Sequence, residues 1–374
     1  MCRKKIILVG GEDVSLRIPA VIKLIKMGYN IVVVGSEPSE AFTLENFKYH
    51  CYDLRRNFTP LSDIKTIYQL YKIFKYELPD VVHTFDTKPN ILACIAAWLA
   101  GVPRIIKTLN GMGGIFTDNS LRNRIFSQLY SLAQYFTSKI LAYTIFQNNE
   151  DREFFISRNL IPSEKAKLIL GSGINVQDFV KTAVEKTIIS KHSLGLDNEN
   201  RCVVLLVARM IEAKGVLEYL EAAKILSNNK NEYRFFLVGS IESGVGSISL
   251  SKINEYSNVC EYLGYRTDIA WLMSQSSIIV LPTYYKEGLP RTLLEGATLE
   301  KPLIATNVGG CKDIVINEHN GMLVKAKCSR SLASAVQHLA SNPKLCQEMG
   351  ANGRRLVEEK FSLNKVCKSW SSLY

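Results

Sequence analysis

The sequence has 374 residues, of which 47% are hydrophobic and 22% are charged, and its formal net charge is +11. This composition excludes a disordered or fibrous chain, and the length exceeds the size at which one hydrophobic core keeps growing. Nine cysteines are scattered without a Cys-x-x-Cys pair, which argues against a disulfide framework and favours free thiols in a reducing compartment. We therefore expect two ordinary globular domains.

The positive charge is spread over both halves of the chain, which weakens the hypothesis of a nucleic-acid-binding protein. The apolar run Ile6–Val9 is too short for the core of a signal peptide, and Ile91–Ala100 is too short to span a bilayer. The sequence therefore predicts a cytoplasmic protein that is either soluble or peripheral at a membrane.

Short β-rich runs alternate with helical spacing along the whole chain. In the first half, strands are predicted over Ile6–Val9, Ile31–Val34 and Asp80–His83, and helices over Val14–Met27, Leu61–Tyr76, Pro89–Ala100 and Leu121–Phe136. In the second half, strands are predicted over Cys202–Ala208, Arg234–Val238, Ile278–Leu281 and Pro302–Thr306. Such alternation is typical of parallel sheets with crossover helices. Because it lapses around residues 181–200, we predict two doubly wound α/β units, 1–180 and 181–357, with 358–374 packing back on the first.

Two cations follow the predicted strand Cys202–Ala208. Arg209 and Lys214 lie five residues apart just past that strand, where the loops of a parallel sheet collect ligands. Arg supplies a planar fork of donors and Lys a point charge, a combination that suits a diphosphate. Taken alone, the pair is equally consistent with a solvated basic loop.

Two glutamates stand eight residues apart behind the strand Ile278–Leu281. Between Glu287 and Glu295 runs Gly-Leu-Pro, with Pro290 suited to the first turn of a helix. The amides of the residues before that helix can receive anions or hydroxyls, and Glu295 can accept hydrogen bonds from a ribose. Surface carboxylates that balance Lys286 and Arg291 are the simpler alternative.

These residues, in this order, resemble the retaining glycosyltransferases of the GT-B fold, family 4. The resemblance covers nearly the whole chain, through residues 10–11 (GG), 83–90 (HTFDTKPN), 108–111 (TLNG), 147–148 (QN), 171–175 (GSGIN), 236–239 (FLVG) and 263–269 (LGYRTDI). The combination of the motifs at residues 83–90 and 171–175 is similar in particular to bacterial enzymes that extend undecaprenyl-diphosphate-linked oligosaccharides for O-antigen, capsule or glycoprotein assembly. The resemblance implies an acceptor-binding and a nucleotide-sugar-binding Rossmann-like domain that face each other across a cleft.

The resemblance also implies a role for individual residues. The implied catalytic residues are His83 near the reacting carbon, Arg209 and Lys214 at the donor diphosphate, and Glu287 at the donor sugar. The implied donor-binding residues are Gly10 and Gly11 near the phosphates, Tyr265 and Arg266 around the base, Gly288 and Leu289 at the sugar, and Glu295 at the ribose. Gly239 and Pro290 are also implied to bind the donor. The implied acceptor-binding residues are Lys88, Asn110 and Gly111.

In the implied reaction, the leaving diphosphate oxygen accepts the proton of the acceptor hydroxyl on the same face, so that no strong side-chain base is needed. The resemblance implies a UDP-sugar as the donor substrate. Because the chain lacks an Asp-x-Asp triplet, we expect no metal or other cofactor. Three departures from the family pattern leave the donor sugar open: Asn175 where Asp is common, Gly296 where Ala is usual, and the insertion Met112-Gly113-Gly114.

The helix predicted over Leu121–Phe136 is amphipathic and basic. It sets Leu121, Ile125, Leu129 and Leu132 on one stripe, with Arg122 and Arg124 at its start. Such a helix can lie on anionic lipid, and an ordinary helix packed on the first sheet is the alternative. With a polyprenyl-diphosphate acceptor, we expect peripheral contact with the cytoplasmic face of the inner membrane.

Three other functions are distinguishable by simple observations. A GT-B epimerase acting on UDP-N-acetylhexosamine would release UDP without a glycolipid acceptor. A nucleic-acid-binding protein would be retained on DNA in a salt-dependent way. The sequence contains no recognised nucleic-acid-binding motif, and we expect no nucleic acid as a partner. A non-catalytic subunit of a transferase complex would tend to lose the Arg, Lys and Glu set that is complete here.

Overall fold

The computed structural model describes residues 3–42, 47–55, 59–113, 121–185, 201–227, 232–244 and 246–374. The chain divides into two compact units, residues 1–173 with 363–374, and residues 174–362. Each unit is an open, fully parallel β-sheet with helices. The predicted α/β class with two Rossmann-like units is therefore confirmed.

The first unit has a seven-stranded sheet. Its strands are β1 (Lys5–Val9), β2 (Asn30–Gly35), β3 (Lys48–Cys51), β4 (Val81–Thr84), β5 (Arg104–Leu109), β6 (Tyr143–Phe146) and β7 (Ala166–Leu168). They lie in the order β3-β2-β1-β4-β5-β6-β7. The helices between them are α1 (Ile18–Lys26), preceded by a 3-10 turn, α2 (Pro60–Glu77), α3 (Pro89–Leu99), α4 (Leu121–Ile140) and α5 (Asn149–Ser157).

Strand β1 shows why this sequence forms a central strand. Its residues from Ile6 to Val9 have no exposed surface, because both faces of a parallel sheet are covered. Ile6 and Leu8 belong to a core shared with α1, whereas Ile7 and Val9 belong to a core shared with α2 and α3. The uninterrupted apolar run thus serves two cores, one on each face of the sheet.

The second unit has a six-stranded sheet. Its strands are β8 (Cys202–Val207), β9 (Tyr233–Val238), β10 (Glu261–Tyr262), β11 (Ile278–Leu281), β12 (Leu303–Thr306) and β13 (Gly321–Val324), in the order β10-β9-β8-β11-β12-β13. Its helices are α6 (Val176–Glu185), α7 (Val216–Leu226), α8 (Leu250–Asn254), α9 (Ile269–Gln275), α10 (Arg291–Thr298), α11 (Gly309–Ile314), α12 (Ser329–Ala340) and α13 (Pro343–Leu356). The last helix of the chain, α14 (Leu363–Ser371), belongs to the first unit.

The boundary between the units differs from the predicted one. The units divide between Gly173 and Ile174, whereas the predicted division at residues 180 and 181 falls inside α6. This helix belongs to the second unit because it packs against α9 and α10. Of the predicted returning segment 358–374, residues 363–374 lie in the first unit, where α14 packs against α1. The predicted boundary residues 186–200 and the predicted loop residues Gly114 to Thr117 lie outside the described residues.

Each sheet has one place where the strand order changes direction. Strand β1 is flanked by β2 and β4, and strand β8 is flanked by β9 and β11. Loops that leave neighbouring strands in opposite directions open a crevice at the carboxyl ends, where such sheets bind ligands. The loops after β1 and β4, and after β8 and β11, are therefore the positions at which each unit can carry a site.

Candidate active site

The loop between β8 and α7 carries the two predicted cations. Arg209 follows the strand, and Lys214 ends a 3-10 turn. Gly215 comes next with φ of 75°, and a Cβ atom at this residue would lie 2.1 Å from the carbonyl oxygen of Pro282. A glycine is required here because a side chain would push the loop after β8 away from the loop after β11. The close approach brings the cations next to the segment that carries Glu287.

Hydrogen bonds to one carbonyl group fix these two loops against each other. The carbonyl oxygen of Ala213 accepts from the amide of Tyr284 at 2.8 Å and from the amide of Tyr285 at 2.9 Å. It also accepts from Oγ1 of Thr283 at 3.0 Å. The loop after β11 is therefore held in register with the cation loop by its backbone, independently of any charged side chain.

Charged side chains meet within this framework. Nζ of Lys214 donates to Oε1 of Glu287, and the two side chains are 14% and 15% exposed. Nη1 of Arg209 lies 3.1 Å from Oε2 of Glu242. The ring centroid of Tyr285 is 5.8 Å from Cζ of Arg209 and 5.3 Å from Nζ of Lys214. The structure thus brings both predicted cations and Glu287 around one aromatic ring.

Glu295 lies on α10, which begins beside this cluster. Nε of Arg291 donates to Oε1 of Glu295 at 2.6 Å, and burial raises the pKa of this carboxyl group. The helix starts at Arg291 with Pro290 as its N-cap residue, so that Pro290 precedes the first turn in which it was predicted. Oγ1 of Thr292 donates to the carbonyl oxygen of Val207 at 3.1 Å. This bond anchors the start of α10 to the end of β8.

The backbone is closely packed at two glycines of the predicted donor site. A Cβ atom at Gly239 would lie 1.7 Å from the carbonyl oxygen of Ala208, so this glycine lets the ends of β9 and β8 approach. Gly288 is buried, and a Cβ atom at Gly310 would lie 1.6 Å from its carbonyl oxygen. The backbone of Gly288 is thus packed against the start of α11, and Leu289 beside it is half-buried.

The residues predicted to flank the base follow β10. The side chain of Tyr265 is exposed, with 75% of its surface accessible. Arg266 makes two hydrogen bonds to Asp268, from Nε at 2.8 Å and from Nη2 at 2.5 Å. The guanidinium group is therefore held by a carboxylate, and Tyr265 is the member of the pair with an accessible ring.

In the first unit, His83 lies in the core. It has no exposed surface, its Nδ1 lies 2.7 Å from the hydroxyl oxygen of Tyr374, and its Nε2 lies 2.8 Å from Oγ1 of Thr108. Burial lowers the pKa of His83 well below its usual range, and the charge of Arg17 acts in the same direction. Both ring nitrogens bond to buried protein groups. The contact of His83 with the donor sugar therefore stays a prediction that these bonds do not favour.

Other residues of the same motif also support the fold. Nζ of Lys88 lies 2.6 Å from Oδ1 of Asp63 and donates to the carbonyl oxygen of Arg55 at 2.7 Å. Asn90 is fully buried and donates to the carbonyl oxygen of Thr108 at 2.7 Å. The ammonium group of Lys88 thus joins the start of α3 to α2, and its position does not support the predicted contact with an acceptor.

The loops after β1, β4 and β5 converge on Asp86. The amide of Gly11 donates to Oδ2 of Asp86 at 3.0 Å, and Oδ1 accepts from Nδ2 of Asn110 at 2.8 Å and from Nη2 of Arg17 at 3.1 Å. The amide of Gly10 donates to the backbone at 2.9 Å. Both glycine amides therefore already donate to protein oxygens, which differs from the prediction that they face phosphates.

The predicted acceptor residue Asn110 belongs to a longer polar row. Nε2 of Gln147 lies 3.2 Å from Oδ1 of Asn110 and 3.0 Å from Oγ of Ser172. Gly111 follows Asn110 with φ of 118°, which turns the chain away from β5. Polar side chains therefore line the carboxyl ends of β4, β5 and β6, and Asp86 carries the negative charge among them.

Helix α4 buries polar residues and exposes apolar ones. Its inward residues Gln134, Thr137 and Ser138 are at most 3% exposed, whereas its outward residues are 51–61% exposed, namely Ile125, Leu129, Leu132 and Phe136. The buried amine of Lys107 on β5 explains the polar inner face, because its Nζ donates to Oε1 of Gln134 and to Oγ1 of Thr137. Burial lowers the pKa of Lys107 to about 8. The outward apolar face has no comparable explanation within the unit.

The sequence predictions missed Asp86 and Glu242 as site residues. Both follow strands, Asp86 after β4 within the motif of residues 83–90 and Glu242 after β9 in a segment rich in glycine and serine. Their position after a strand was a usable signal. Their hydrogen-bonding partners could not be predicted from the sequence, because Gly11, Asn110 and Arg209 come from other loops.

Neither a metal cluster nor a membrane span is found among the described residues. In these ranges no group of three or more His, Cys, Asp or Glu side chains could hold a metal ion. No helix of the described chain combines the length and the apolar character needed to cross a bilayer. The expectation that no metal is required stays a prediction.

Two family models match successive parts of the chain. The model of 4-like glycosyl transferases matches residues 5–144, and the model of glycosyl transferases group 1 matches residues 190–356. The first match spans β1 to β6, and the second spans the whole cluster of Arg209, Lys214 and Glu287.

Curated relatives align with the chain over most of its length. The UDP-Gal:alpha-D-GlcNAc-diphosphoundecaprenol alpha-1,3-galactosyltransferase of Escherichia coli is 28% identical over 378 residues, which cover 98% of this chain and 94% of the relative. The N,N'-diacetylbacillosaminyl-diphospho-undecaprenol alpha-1,3-N-acetylgalactosaminyltransferase of Campylobacter jejuni is 29% identical over 350 residues, which cover 92% and 90%. Both relatives use sugars linked to diphospho-undecaprenol, as their names state.

Solved structures share the fold at lower sequence identity. Anabaena HepE in complex with UDP and glucose superposes with a TM-score of 0.79 at 16% identity, covering 99% of each chain. A glycosyltransferase from Rickettsia africae superposes with a TM-score of 0.79 at 19% identity, covering 100% of this chain and 98% of the other. At these identities the likeness shows the fold alone.

Proposed function

Because the chain belongs to the glycosyltransferases of the GT-B fold, we propose that it transfers a hexose or an N-acetylhexosamine from a UDP-sugar to an undecaprenyl-diphosphate-linked oligosaccharide. The anomeric configuration is retained, and the product serves O-antigen, capsule or glycoprotein glycan assembly. The Escherichia coli and Campylobacter relatives support the acceptor class, and HepE with bound UDP supports the donor base. In this proposal the first unit binds the acceptor and the second binds the nucleotide sugar.

The observation that carries the proposal is the cluster of Arg209, Lys214 and Glu287 at the carboxyl ends of β8 and β11. The two cations lie over one ring, and the side chain of Lys214 is mostly buried. Fixed positive groups in a partly desolvated loop stabilise a diphosphate most when it gains charge, which happens as its bond to the sugar breaks. This differential stabilisation lowers the barrier rather than only strengthening donor binding.

The proposed reaction requires one bond exchange at the anomeric carbon. The bond from this carbon to the diphosphate oxygen breaks, and its electron pair stays on the diphosphate next to Arg209 and Lys214. The acceptor hydroxyl oxygen forms the new bond from the same face and passes its proton to the departing diphosphate oxygen. Glu287, together with the backbone of Gly288 and Leu289, binds the sugar hydroxyls and keeps the ring in place.

The remaining donor contacts follow from positions along the same sheet edge. Glu295 accepts hydrogen bonds from the ribose, and Arg291 is its present partner. The accessible ring of Tyr265 flanks the base, with Arg266 and Asp268 as a rigid pair behind it. Gly239 contributes by allowing the ends of β8 and β9 to approach.

A donor screen tests the proposed function. The chain is incubated with UDP- and GDP-sugars and with a short prenyl-diphosphate saccharide, and the product is identified by its mass and its anomeric coupling constant. We expect UDP release only when the glycolipid is present, with an α-linked product from an α-linked donor. UDP release without an acceptor would instead identify an epimerase, and inversion at the anomeric carbon would refute the proposed mechanism.

Metal independence is part of the proposal, because Arg209 and Lys214 supply the charge that a metal ion provides in other transferases. Transfer rates are measured in buffer treated with a chelating resin, with EDTA, and with added Mg²⁺ or Mn²⁺. We expect rates within about twofold of one another, which corresponds to less than about 0.5 kcal/mol in the barrier. A loss of transfer with EDTA that Mn²⁺ restores would refute this part.

We also propose that α4 contacts the cytoplasmic face of the inner membrane peripherally. The exposed apolar stripe of α4 is flanked by the exposed cations Arg124 and Lys139. Apolar surface with a basic rim matches an anionic bilayer, because the chains receive the apolar side chains and the headgroups attract the cations. A lipid-linked acceptor is anchored in the bilayer, so the enzyme would also have to bind it at the membrane surface.

Vesicle cosedimentation tests the membrane contact. Leu129→Glu with Leu132→Glu should abolish binding to vesicles that contain one third phosphatidylglycerol, whereas Ile225→Glu on α7 of the second unit, which replaces another exposed apolar residue, should not. Transfer to a water-soluble short-chain acceptor should be preserved in both variants. Equal sedimentation of the double variant and the wild-type chain would refute the contact.

A further inference from the structure

Asp86 lies at the edge of the first sheet where a bound ligand is expected. It follows β4 immediately after Phe85, at the change of strand direction between β1 and β4. Its φ is 67°, in the left-handed region that a residue with a side chain adopts only at a cost. Residues held in this conformation concentrate at functional sites, because the surrounding structure must compensate for the strain.

The surroundings of Asp86 leave one acceptor position open. Its two oxygens accept from Gly11, Asn110 and Arg17, and a carboxylate has about four acceptor positions. Among the described residues no fourth donor reaches it, and 29% of its side-chain surface is exposed. The three protein donors therefore fix the direction of the carboxylate, and Oδ2 keeps an acceptor position without a partner among the described residues.

The charge of Asp86 decides which ligand fits. A phosphate brought to the amide of Gly11 would meet a carboxylate already bonded there at 3.0 Å, so that two negative groups would compete for one donor. A neutral hydroxyl group has the complementary chemistry, because it donates a hydrogen atom to the open position. A hydrogen bond between a hydroxyl and a carboxylate is also stronger than one between neutral groups.

We propose that Asp86 binds a hydroxyl group of the acceptor sugar and orients that sugar in the first unit. This inference rests on the proposed function, because it assigns one residue of the acceptor site. Three other members of its motif support the fold, because His83 and Asn90 are buried and Lys88 is tied to α2. The carboxylate of Asp86 is held by donors from the loops after β1 and β5, and its side chain keeps exposed surface.

The test uses two substitutions that retain the backbone conformation. Asn tolerates the left-handed region and glycine adopts it freely, so Asp86→Asn and Asp86→Gly should both fold. In Asp86→Asn, the single amide oxygen is taken by Arg17 or Asn110, and the amide nitrogen offers no acceptor to a hydroxyl. Tyr52→Phe is the matched control, because Tyr52 supports the same loop through a bond to the carbonyl oxygen of Gly10 at 2.8 Å.

Binding is measured without donor, by calorimetric titration with farnesyl-diphosphate-linked N-acetylglucosamine and with farnesyl diphosphate alone. We expect both Asp86 variants to bind the glycolipid at least 10-fold more weakly and farnesyl diphosphate unchanged within about twofold. Tyr52→Phe should bind both probes like the wild-type chain. Equal glycolipid affinity of wild type and both variants, or no glycolipid binding by the wild type, would overturn the inference, as would a parallel loss for both probes.

Initial rates distinguish this inference from the proposed function. In the Asp86 variants the KM for the glycolipid should rise at least 10-fold, while the KM for the UDP-sugar changes less than twofold. If the wild-type chain binds the glycolipid but transfers no sugar to it, the proposed function fails and the titration still decides on Asp86. If transfer occurs and the KM for the glycolipid is unchanged in both variants, the inference about Asp86 fails alone.

Discussion

The carboxyl ends of the central strands carry polar side chains in both units, but the chain uses them differently. In the first unit, His83 and Asn90 are fully buried and complete the core. In the second unit, Arg209, Lys214 and Glu287 retain exposed surface and surround one ring. Residues that are typical of a family can therefore have two different roles. The buried set in the first unit stabilises the sheet, and the charged set in the second unit is available to bind a ligand.

This difference teaches how to interpret a motif that follows a strand. A polar side chain whose donors and acceptors are all satisfied inside the unit contributes to stability, whereas one held by a few bonds with surface left over can serve a substrate. Substitutions of the buried His83 and Asn90 should then change unfolding, whereas substitutions of Arg209, Lys214 or Glu287 should change catalysis.

The largest effect is expected at the second sheet. Lys214→Ala should lower kcat by about 10²–10³-fold, or about 3–4 kcal/mol, because the departing diphosphate loses a fixed cation. Rates are measured at saturating UDP-sugar and acceptor. Lys344→Ala, which removes an exposed lysine of α13 in the same unit, is the control and should keep the wild-type rate. A full rate in Lys214→Ala would remove the basis of the proposed mechanism.

The next effect is expected in the core of the first unit. His83→Ala should lower the free energy of unfolding by about 3 kcal/mol, because it leaves a cavity and takes away the partner of two buried hydroxyl groups. Urea unfolding followed by tryptophan fluorescence measures this, since Trp370 stacks edge-on against His83 at 5.2 Å. The rate per folded molecule should stay within about threefold of the wild type. Intact stability with lost transfer would support the catalytic role.

The free energy of unfolding should also depend on pH through Lys107. Its pKa of about 8 in the folded chain lies below the ordinary value of 10.5, so the folded state binds fewer protons than the unfolded state between these values. Stability should therefore rise with pH, by about 2 kcal/mol between pH 8 and pH 10, and this gain is lost as the pH falls through 8. Denaturant unfolding across this range, compared with Lys107→Met, measures the slope. A variant with the wild-type slope would contradict this pKa.

The smallest effect is expected at the edge of the donor cluster. Glu242 pairs with Arg209 where both side chains are about one third exposed, so the pair contributes about 0.2–1 kcal/mol. Glu242→Gln should therefore lower the KM for the UDP-sugar by about twofold to fivefold, since Arg209 no longer has to leave a carboxylate. Glu358→Gln, which breaks an exposed pair with Arg354, is the control and should change nothing. A higher KM would show that Glu242 helps to bind the donor.

Much of the fold was predictable because buried strands of a parallel sheet are runs of apolar residues. The strand Ile278–Leu281 was predicted with its observed bounds. Six strands were not predicted, namely β3, β5, β6, β7, β10 and β13. Of these, the polar edge strand β3 and the two-residue strand β10 show no such run. Helix α4 was predicted to end at Phe136 but continues to Ile140. Thr137 and Ser138 are buried, and Thr137 accepts a hydrogen bond from the buried amine of Lys107.

The site was only partly predictable, for a reason that concerns distance along the chain. Arg209, Lys214 and Glu287 were found because their loops follow strands that the sequence reveals. The buried environment of His83 was not predicted, because it depends on Tyr374, which lies 291 residues away in the sequence. The convergence on Asp86 was missed because its donors come from the loops after β1 and β5, which are distant from it in the sequence. Local patterns identify which residues follow a strand, but not which partners satisfy them.

The position of α14 has a consequence for the order in which the protein is completed during synthesis. Residues 363–374 leave the ribosome after the whole of the second unit, residues 174–362. Until they emerge, one face of the first sheet lacks Trp370 and Tyr374, and the imidazole of His83 lacks one of its two partners. The second unit can thus reach its final form while the first still waits for its last helix.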